Sequence, residues 1–263
     1  MNEIMKKYDL NGFYLAKGLI SKGQINLTKE SIKKYYDNQL VHLKKKVPNN
    51  IDHSMKLLHK IDIERYKKTG GALWRSMELY NLLHCQNIQN FVKENFGFDD
   101  VIIPGGQAVH IMSESLKIPD GYYGLQIHQD YPSVQGSKNG CVVWIALTDI
   151  DENSYPLEVI SKSHKNGLYS LFHNKDKRYE INSSEYDEKD LTPITCSAGD
   201  VIFMSYFTLH KSSLRGDERV RLACSTRYDD ANDQQFISDT YPSGYKRTVD
   251  REMCESLTIK DKK

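Results

Sequence analysis

One short stretch of the sequence combines residue types that bind a metal ion. His128 and Asp130 stand one residue apart in LQIHQDYP, between an apolar run and a proline. Alternate side chains of an extended segment share a face, so the imidazole and the carboxylate project together while Gln129 points away. A facial triad of two imidazoles and one carboxylate binds non-haem Fe(II) and leaves its other positions open. The stretch therefore offers two of three ligands, with an accidental pairing as the alternative.

The third ligand has to come from another part of the chain, and His210 is the candidate. It ends the run VIFMSYFTLH, which predicts a strand that starts after the turn residues Gly199 and Asp200. Ile202 and His210 share parity in this run, so the imidazole is expected to face the interior at the strand's end. His110 lies in another β-rich run, where an ordinary barrel-facing side chain is the preferred interpretation.

An arginine follows the second histidine at a distance of eleven residues. Arg221 and Arg227 share one face of the predicted strand VRLACSTRY, beside small residues. A buried guanidinium without an anionic partner is costly, and a ligand carboxylate gripped in bidentate fashion would satisfy Arg221. The alternative is an ion pair with a protein acid such as Asp149, and for Arg227 such a structural role is preferred.

The first hundred residues predict helices. Ser21 and Gln24 form a capping-box pattern, after which apolar residues recur at helical spacing. A second helix is predicted over 77–96, with Gly97 as its C-terminal stop. These apolar stripes are typical of core packing.

After residue 100 the pattern changes to short β-rich runs separated by turn residues. The runs cover 101–103, 107–112, 122–127, 141–148, 157–160, 201–207 and 220–228. Because they do not alternate with helices, they predict an antiparallel sandwich or barrel. The polar residues 162–195 are predicted to form a long insertion between strands.

Composition bounds the class of protein. The 36 Lys and Arg residues nearly cancel the 35 Asp and Glu residues, so no overall field attracts nucleic acid or an anionic membrane. The five scattered cysteines, without a CxxC motif, favour reduced thiols in a cytoplasm. No signal peptide or membrane-spanning stretch is indicated. A cytoplasmic protein with a small-molecule substrate is expected, and nothing points to a particular oligomeric state.

Three segments carry a resemblance to a known family. They are LNGFYLAKGLISKGQI, then HQDYP with VVWIALTDIDENSYPLEVISKSHKNGL, and finally AGDVIFMSYFTLHKSSLRGDERVRLACSTRY. Together they resemble the phytanoyl-CoA dioxygenase family of Fe(II)/2-oxoglutarate-dependent oxygenases. The sequence departs from the family pattern in one loop, where relatives commonly have Asn-Gly-Pro and Pro-Gly-Ser-His. Here the chain has Asn153-Ser154-Tyr155-Pro156 and Ser161-Lys162-Ser163-His164. The loss of both glycines predicts a changed loop conformation.

The resemblance implies a mainly β fold, a double-stranded β-helix (a cupin-like jelly roll) with flanking helices. The absence of internal repeats and low-complexity linkers from the sequence predicts a single domain over 1–263. With the implied fold, it has a mainly helical flank at 1–100, a jelly-roll core at 101–230 and a C-terminal extension at 231–263. The resemblance also implies roles for particular residues. Iron would be held by His128, Asp130 and His210, and 2-oxoglutarate by Arg221 with help from Ser212, while Trp144 would line the cavity.

The activity that this resemblance implies is hydroxylation of a C–H bond in a small biosynthetic molecule. Fe(II) would be the cofactor, 2-oxoglutarate and O₂ the cosubstrates, and succinate and CO₂ the released products. Desaturation, cyclisation and epimerisation are alternatives, because they begin with the same removal of hydrogen. An inactive metal-binding scaffold or sensor is disfavoured by the complete triad and arginine. A zinc hydrolase would also use two histidines and an aspartate, but it gives Arg221 no purpose.

Overall fold

The computed structural model describes residues 2–119, 124–170 and 181–244, which form helices and short strands. The α-helices are α1 (Glu3–Asn11), α2 (Lys22–His42), α3 (Ile51–Ile61), α4 (Ile63–Gly70), α5 (Met77–Leu83), α6 (Gln86–Phe96), α7 (Tyr131–Val134) and α8 (Gln234–Ser238). The strands are β1 (Phe13–Ala16), β2 (Val101–Ile102), β3 (Ala108–Met112), β4 (Cys141–Ala146), β5 (Leu157–Ile160), β6 (Leu191–Ile194), β7 (Val201–Ser205), β8 (His210–Ser212) and β9 (Arg221–Asp230). None of the helices in these ranges is long and apolar enough to cross a membrane.

The helical flank follows the local signals of the sequence. Helix α2 begins with the predicted capping box, in which the Ser21 side chain accepts a hydrogen bond from the backbone N–H of Gln24. The single helix predicted over 77–96 is wrong in one respect, because extended backbone at Cys85 (ψ 157°) divides it into α5 and α6. Gly97 ends α6 in a left-handed conformation, as predicted.

The strands form two antiparallel sheets. The larger has the order β1-β7-β4-β9-β2, and β3 pairs with β9 on the same edge as β2. The smaller has the order β6-β5-β8. Two facing antiparallel sheets with helices outside them confirm the predicted mainly β, cupin-like jelly roll.

The larger sheet has two differently buried faces because its side chains alternate. One face, with Val143 and Phe203, belongs to the core cluster that also contains the helices' apolar residues. The other, with Trp144, Met204 and Ala223, packs against residues of the smaller sheet. Arg221 has the same parity as Ala223, so β9 directs it into the space between the sheets.

The run VIFMSYFTLH does not form one strand. Strand β7 ends at Ser205, and residues 206–209 carry the chain across to the smaller sheet, where β8 begins at His210. The strand predicted over 122–127 is wrong for 124–127, while 122–123 lie outside the described residues. Leu125 nevertheless pairs with β8, since its carbonyl accepts a hydrogen bond from the Ser212 N–H at 3.0 Å.

Two residues in the segments where relatives commonly have glycine adopt a backbone conformation that favours glycine. Tyr155 has φ 55° and Lys162 has φ 69°, both in the left-handed region. Tyr155 is held there by burial and by its hydroxyl, which donates to the Asp217 carbonyl at 3.2 Å. The segment predicted as an insertion also contains β6, and its residues 171–180 lie outside the described ranges.

Candidate active site

Backbone pairing brings the two candidate histidine ligands together. The N–H of His128 donates to the carbonyl of His210 at 3.0 Å, and the N–H of His210 donates back to His128 at 3.1 Å. The two imidazole rings consequently lie 4.1 Å apart between centroids. Asp130 has a helical backbone (φ −75°, ψ −30°) at the start of α7 instead of the expected extended one. Its Oδ2 still lies 3.3 Å from His210 Nε2.

The donor set of these three residues fits a divalent metal ion. One ligand atom from each lies within 4.8 Å of the others, and all three side chains are buried. Nδ1 of His128 lies 2.7 Å from the Gln126 carbonyl oxygen, and Nδ1 of His210 lies 2.9 Å from that of Thr208. An Nδ1–H that donates to a carbonyl leaves Nε2 of each ring free to bind a metal. Asp130 Oδ2 is buried and accepts no hydrogen bond from the described residues. Such an orphaned buried oxygen is costly without a metal or another partner.

Burial and nearby charges set the protonation states that metal binding requires. Burial lowers the pKa of His210 to about 3, and it also lowers the pKa of His128. Burial by itself would raise the pKa of the Asp130 carboxyl, but the Arg227 guanidinium and the neighbouring His210 and His128 together outweigh burial and hold that pKa well below its usual range. Neutral imidazoles and an ionised carboxylate are the ligand forms of these groups at neutral pH.

A small cavity adjoins the three residues, and the other predicted site residues line it. Its lining includes Arg221, Ser212 and Trp144. The Arg221 guanidinium carbon lies 5.7 Å from the centroid of the Trp144 ring, within cation–π range, and its Nη2 lies 2.7 Å from Met112 Sδ. The alternative partner Asp149 instead accepts a hydrogen bond from the Ala198 N–H at 2.8 Å.

The Ser212 hydroxyl is oriented by the neighbouring segment. Its oxygen accepts a hydrogen bond from the Leu125 N–H at 3.2 Å, which leaves the hydroxyl proton available for an acceptor in the cavity. Gly124 precedes Leu125 with φ 79°, and a Cβ at that position would lie 2.9 Å from the Ser212 Cβ. The absence of a side chain at Gly124 therefore permits this close approach.

Two further polar residues line the cavity, although the sequence predicts only structural roles for them. His110 lines the cavity, and its Nε2 bonds Ser225 Oγ at 2.9 Å. Arg227 does pair with a protein acid, as expected, but the acid is the candidate ligand Asp130. Its parity with Arg221 on β9 was the only signal in the sequence that it faces the cavity.

The fold and these contacts together define a class of enzyme. Two facing sheets that enclose a His-Asp-His group and a buried arginine are typical of non-haem iron oxygenases. A family model described as phytanoyl-CoA dioxygenase (PhyH) matches residues 8–219. The chain belongs to the phytanoyl-CoA dioxygenase family, as predicted. It is an Fe(II)- and 2-oxoglutarate-dependent enzyme of the oxygenase type, with O₂ as the second cosubstrate.

Solved structures of low sequence identity share the fold. The epimerase SnoN, in complex with Fe³⁺, alpha-ketoglutarate and nogalamycin RO, is 17% identical with a TM-score of 0.59, over 87% of this chain and 82% of that one. The non-haem monooxygenase ThoJ is 16% identical with a TM-score of 0.61, over 88% and 78%. The carbocyclase SnoK from nogalamycin biosynthesis is 15% identical with a TM-score of 0.57, over 95% and 94%. No curated protein matches the chain.

Proposed function

We propose that this protein hydroxylates a C–H bond of a small biosynthetic molecule, with His128, Asp130 and His210 as the ligands of Fe(II). The observation that carries the proposal is that one ligand atom from each of the three buried side chains lies near the other two. The second polar atom of each side chain, Nδ1 of the histidines and Oδ1 of the aspartate, already has a hydrogen-bond partner in the protein. The fold relatives SnoN and SnoK, both from nogalamycin biosynthesis, support a substrate of this class.

The residues that line the cavity have different roles in binding and orienting the cosubstrate. Fe(II), when bound with 2-oxoglutarate and O₂, supplies the oxidation that releases succinate and CO₂. Arg221 binds the cosubstrate carboxylate that lies away from the metal, and Ser212 donates its hydroxyl proton to that carboxylate. Trp144 packs against the Arg221 guanidinium and keeps it directed into the cavity. The buried histidines stay neutral, so protons do not compete with the metal at neutral pH.

We further propose that the chain forms one domain and that the protein is cytoplasmic. We treat residues 1–263 as one domain, with a mainly helical flank at 1–100 that also supplies β1, a jelly-roll core at 101–230 that carries the site, and a C-terminal extension at 231–263. The odd and scattered cysteine set supports a cytoplasmic location.

Other oxidative outcomes are the second candidate, because an epimerase and a carbocyclase share the fold. Desaturation, cyclisation and epimerisation need the same cavity and the same cosubstrate. The masses of the products separate them. Hydroxylation adds one oxygen atom, desaturation and cyclisation each remove two hydrogens, and epimerisation leaves the mass unchanged.

The activity is tested with anaerobically purified protein that receives Fe(II), 2-oxoglutarate and then O₂. We expect succinate to form even without substrate, because the residues proposed to bind metal and cosubstrate lie in the cavity before substrate arrives. The same protein loaded with Zn(II) is the control, since zinc has no redox chemistry. Iron binding without any succinate would contradict an active oxygenase and favour a scaffold or sensor. Metabolite pools incubated with the active protein then reveal the product by its mass.

Ser212→Ala is expected to weaken 2-oxoglutarate binding about 10- to 100-fold, since a hydrogen bond to a charged group contributes about 1.5–3 kcal/mol. Calorimetric titration of the Ni(II)-loaded protein with 2-oxoglutarate measures the change. The matched control is Ser213→Ala, because Ser213 is also buried but its hydroxyl accepts from the Arg215 N–H at 3.1 Å. Equal affinities for both variants would remove Ser212 from the cosubstrate site.

A further inference from the structure

We propose that Arg227 is a positioning residue that restricts Asp130 to one metal-binding oxygen. The inference rests on the proposed function, in which Asp130 is an iron ligand. Arg227 places two donors on a single carboxylate oxygen: Nη2 lies 2.5 Å and Nε 3.2 Å from Asp130 Oδ1. The other oxygen, Oδ2, accepts no hydrogen bond from the described residues and lies on the side of His210.

The different surroundings of the two Asp130 oxygens determine how many metal positions this carboxylate fills. A carboxylate can bind a metal through one oxygen or through both. With Oδ1 committed to a charged, forked donor, only Oδ2 is available to the metal. Three protein ligands would then leave positions open on the metal, which a chelating cosubstrate and O₂ would need. If Asp130 bound through both oxygens, it would occupy one of those positions.

The surroundings of Arg227 hold its guanidinium in place. Its Nη1 lies 3.5 Å from Ser225 Oγ, which also bonds His110 Nε2 at 2.9 Å. Burial lowers the pKa of His110 to about 3, so that ring adds no charge beside the arginine. The Arg227 side chain is only 13% exposed. Strand β9 thus presents two arginines on one face, Arg221 for the cosubstrate and Arg227 for the carboxylate ligand.

The test compares Arg227→Gln and Arg227→Lys with the wild type in three measurements. The metal-free protein is titrated with Ni(II), and the Ni(II)-loaded protein is titrated with 2-oxoglutarate. Crystal structures of the Ni(II)-loaded proteins show whether one or both Asp130 oxygens coordinate the metal. The matched control is Arg219→Gln, because Arg219 also pairs with carboxylates (Asp151 and Asp217) but lies on the exposed surface. Thermal unfolding of each metal-free variant checks that it is folded.

For Arg227→Gln we expect Asp130 to bind Ni(II) through both oxygens and 2-oxoglutarate affinity to fall by at least about 10-fold, the lower end of the loss in metal affinity or activity that follows removal of a partner of a metal ligand. Arg227→Lys, which keeps the charge but loses the fork, should fall between the wild type and Arg227→Gln. Wild-type affinity and one-oxygen ligation in Arg227→Gln would overturn the inference while leaving the proposed function intact. If Arg227→Gln does not fold, wild-type cosubstrate affinity in Arg227→Lys would overturn it equally. Failure of the wild type to bind Ni(II) would overturn the proposed function and this inference together.

Discussion

Asp130→Ala is expected to abolish 2-oxoglutarate turnover and to weaken metal binding by more than about 100-fold, beyond the range found when only a partner of a ligand is removed. The variant loses one of the three ligand atoms that converge in the cavity. It also removes the carboxylate that compensates the largely buried Arg227 guanidinium, which would then repel the incoming cation. Titration of the metal-free protein with Ni(II) and the succinate assay measure the two losses separately.

Asp229→Asn is the matched control for this prediction. Asp229 is buried on β9, outside the cavity lining, and its Oδ1 accepts a hydrogen bond from the Tyr206 hydroxyl at 3.0 Å. Burial raises the pKa of Asp229 to about 7, so asparagine resembles a form that the side chain already adopts. Wild-type metal affinity is expected in Asp229→Asn. Substantial turnover in Asp130→Ala would contradict the assignment of the triad.

The parts of the site that were predictable from sequence depend on local rules. Alternation along a strand was sufficient to direct Arg221 and Arg227 to the same face of β9, and both lie there. The capping box at Ser21 and the stop at Gly97 follow from hydrogen bonds within a few residues. Such features need no knowledge of the rest of the fold.

The parts that were not predictable depend on contacts between distant segments. Nothing in the run VIFMSYFTLH shows that it leaves the larger sheet after Ser205, because its apolar residues continue through the crossing. The helical backbone of Asp130 arises where the chain enters α7, and the Tyr131 N–H there donates to the Tyr206 carbonyl at 3.1 Å. The pairing of Arg227 with Asp130 joins residues 97 positions apart. Sequence parity predicts the face that a side chain occupies but not its partner.

Arg221→Gln is expected to lose most of the affinity for 2-oxoglutarate while keeping the metal. Truncating one partner of a buried, hydrogen-bonded charge pair costs about 2–5 kcal/mol, which corresponds to roughly 30- to 5,000-fold in affinity. Arg221→Lys should recover only part of this loss, because lysine keeps the charge without the planar fork or the stacking on Trp144. Calorimetric titration of the Ni(II)-loaded variants with 2-oxoglutarate measures the affinities.

The pattern across the variants separates a cosubstrate ligand from a residue that merely supports the fold. Ni(II) affinity should stay at the wild-type level in Arg221→Gln, since none of the three metal-binding side chains is altered. Arg219→Gln, the exposed control, should leave both affinities unchanged. Because the cosubstrate would lose its counter-ion but not its chelating atoms, a high concentration of 2-oxoglutarate should restore succinate release in Arg221→Gln. Wild-type cosubstrate affinity in that variant would mean that another group of the cavity binds the carboxylate.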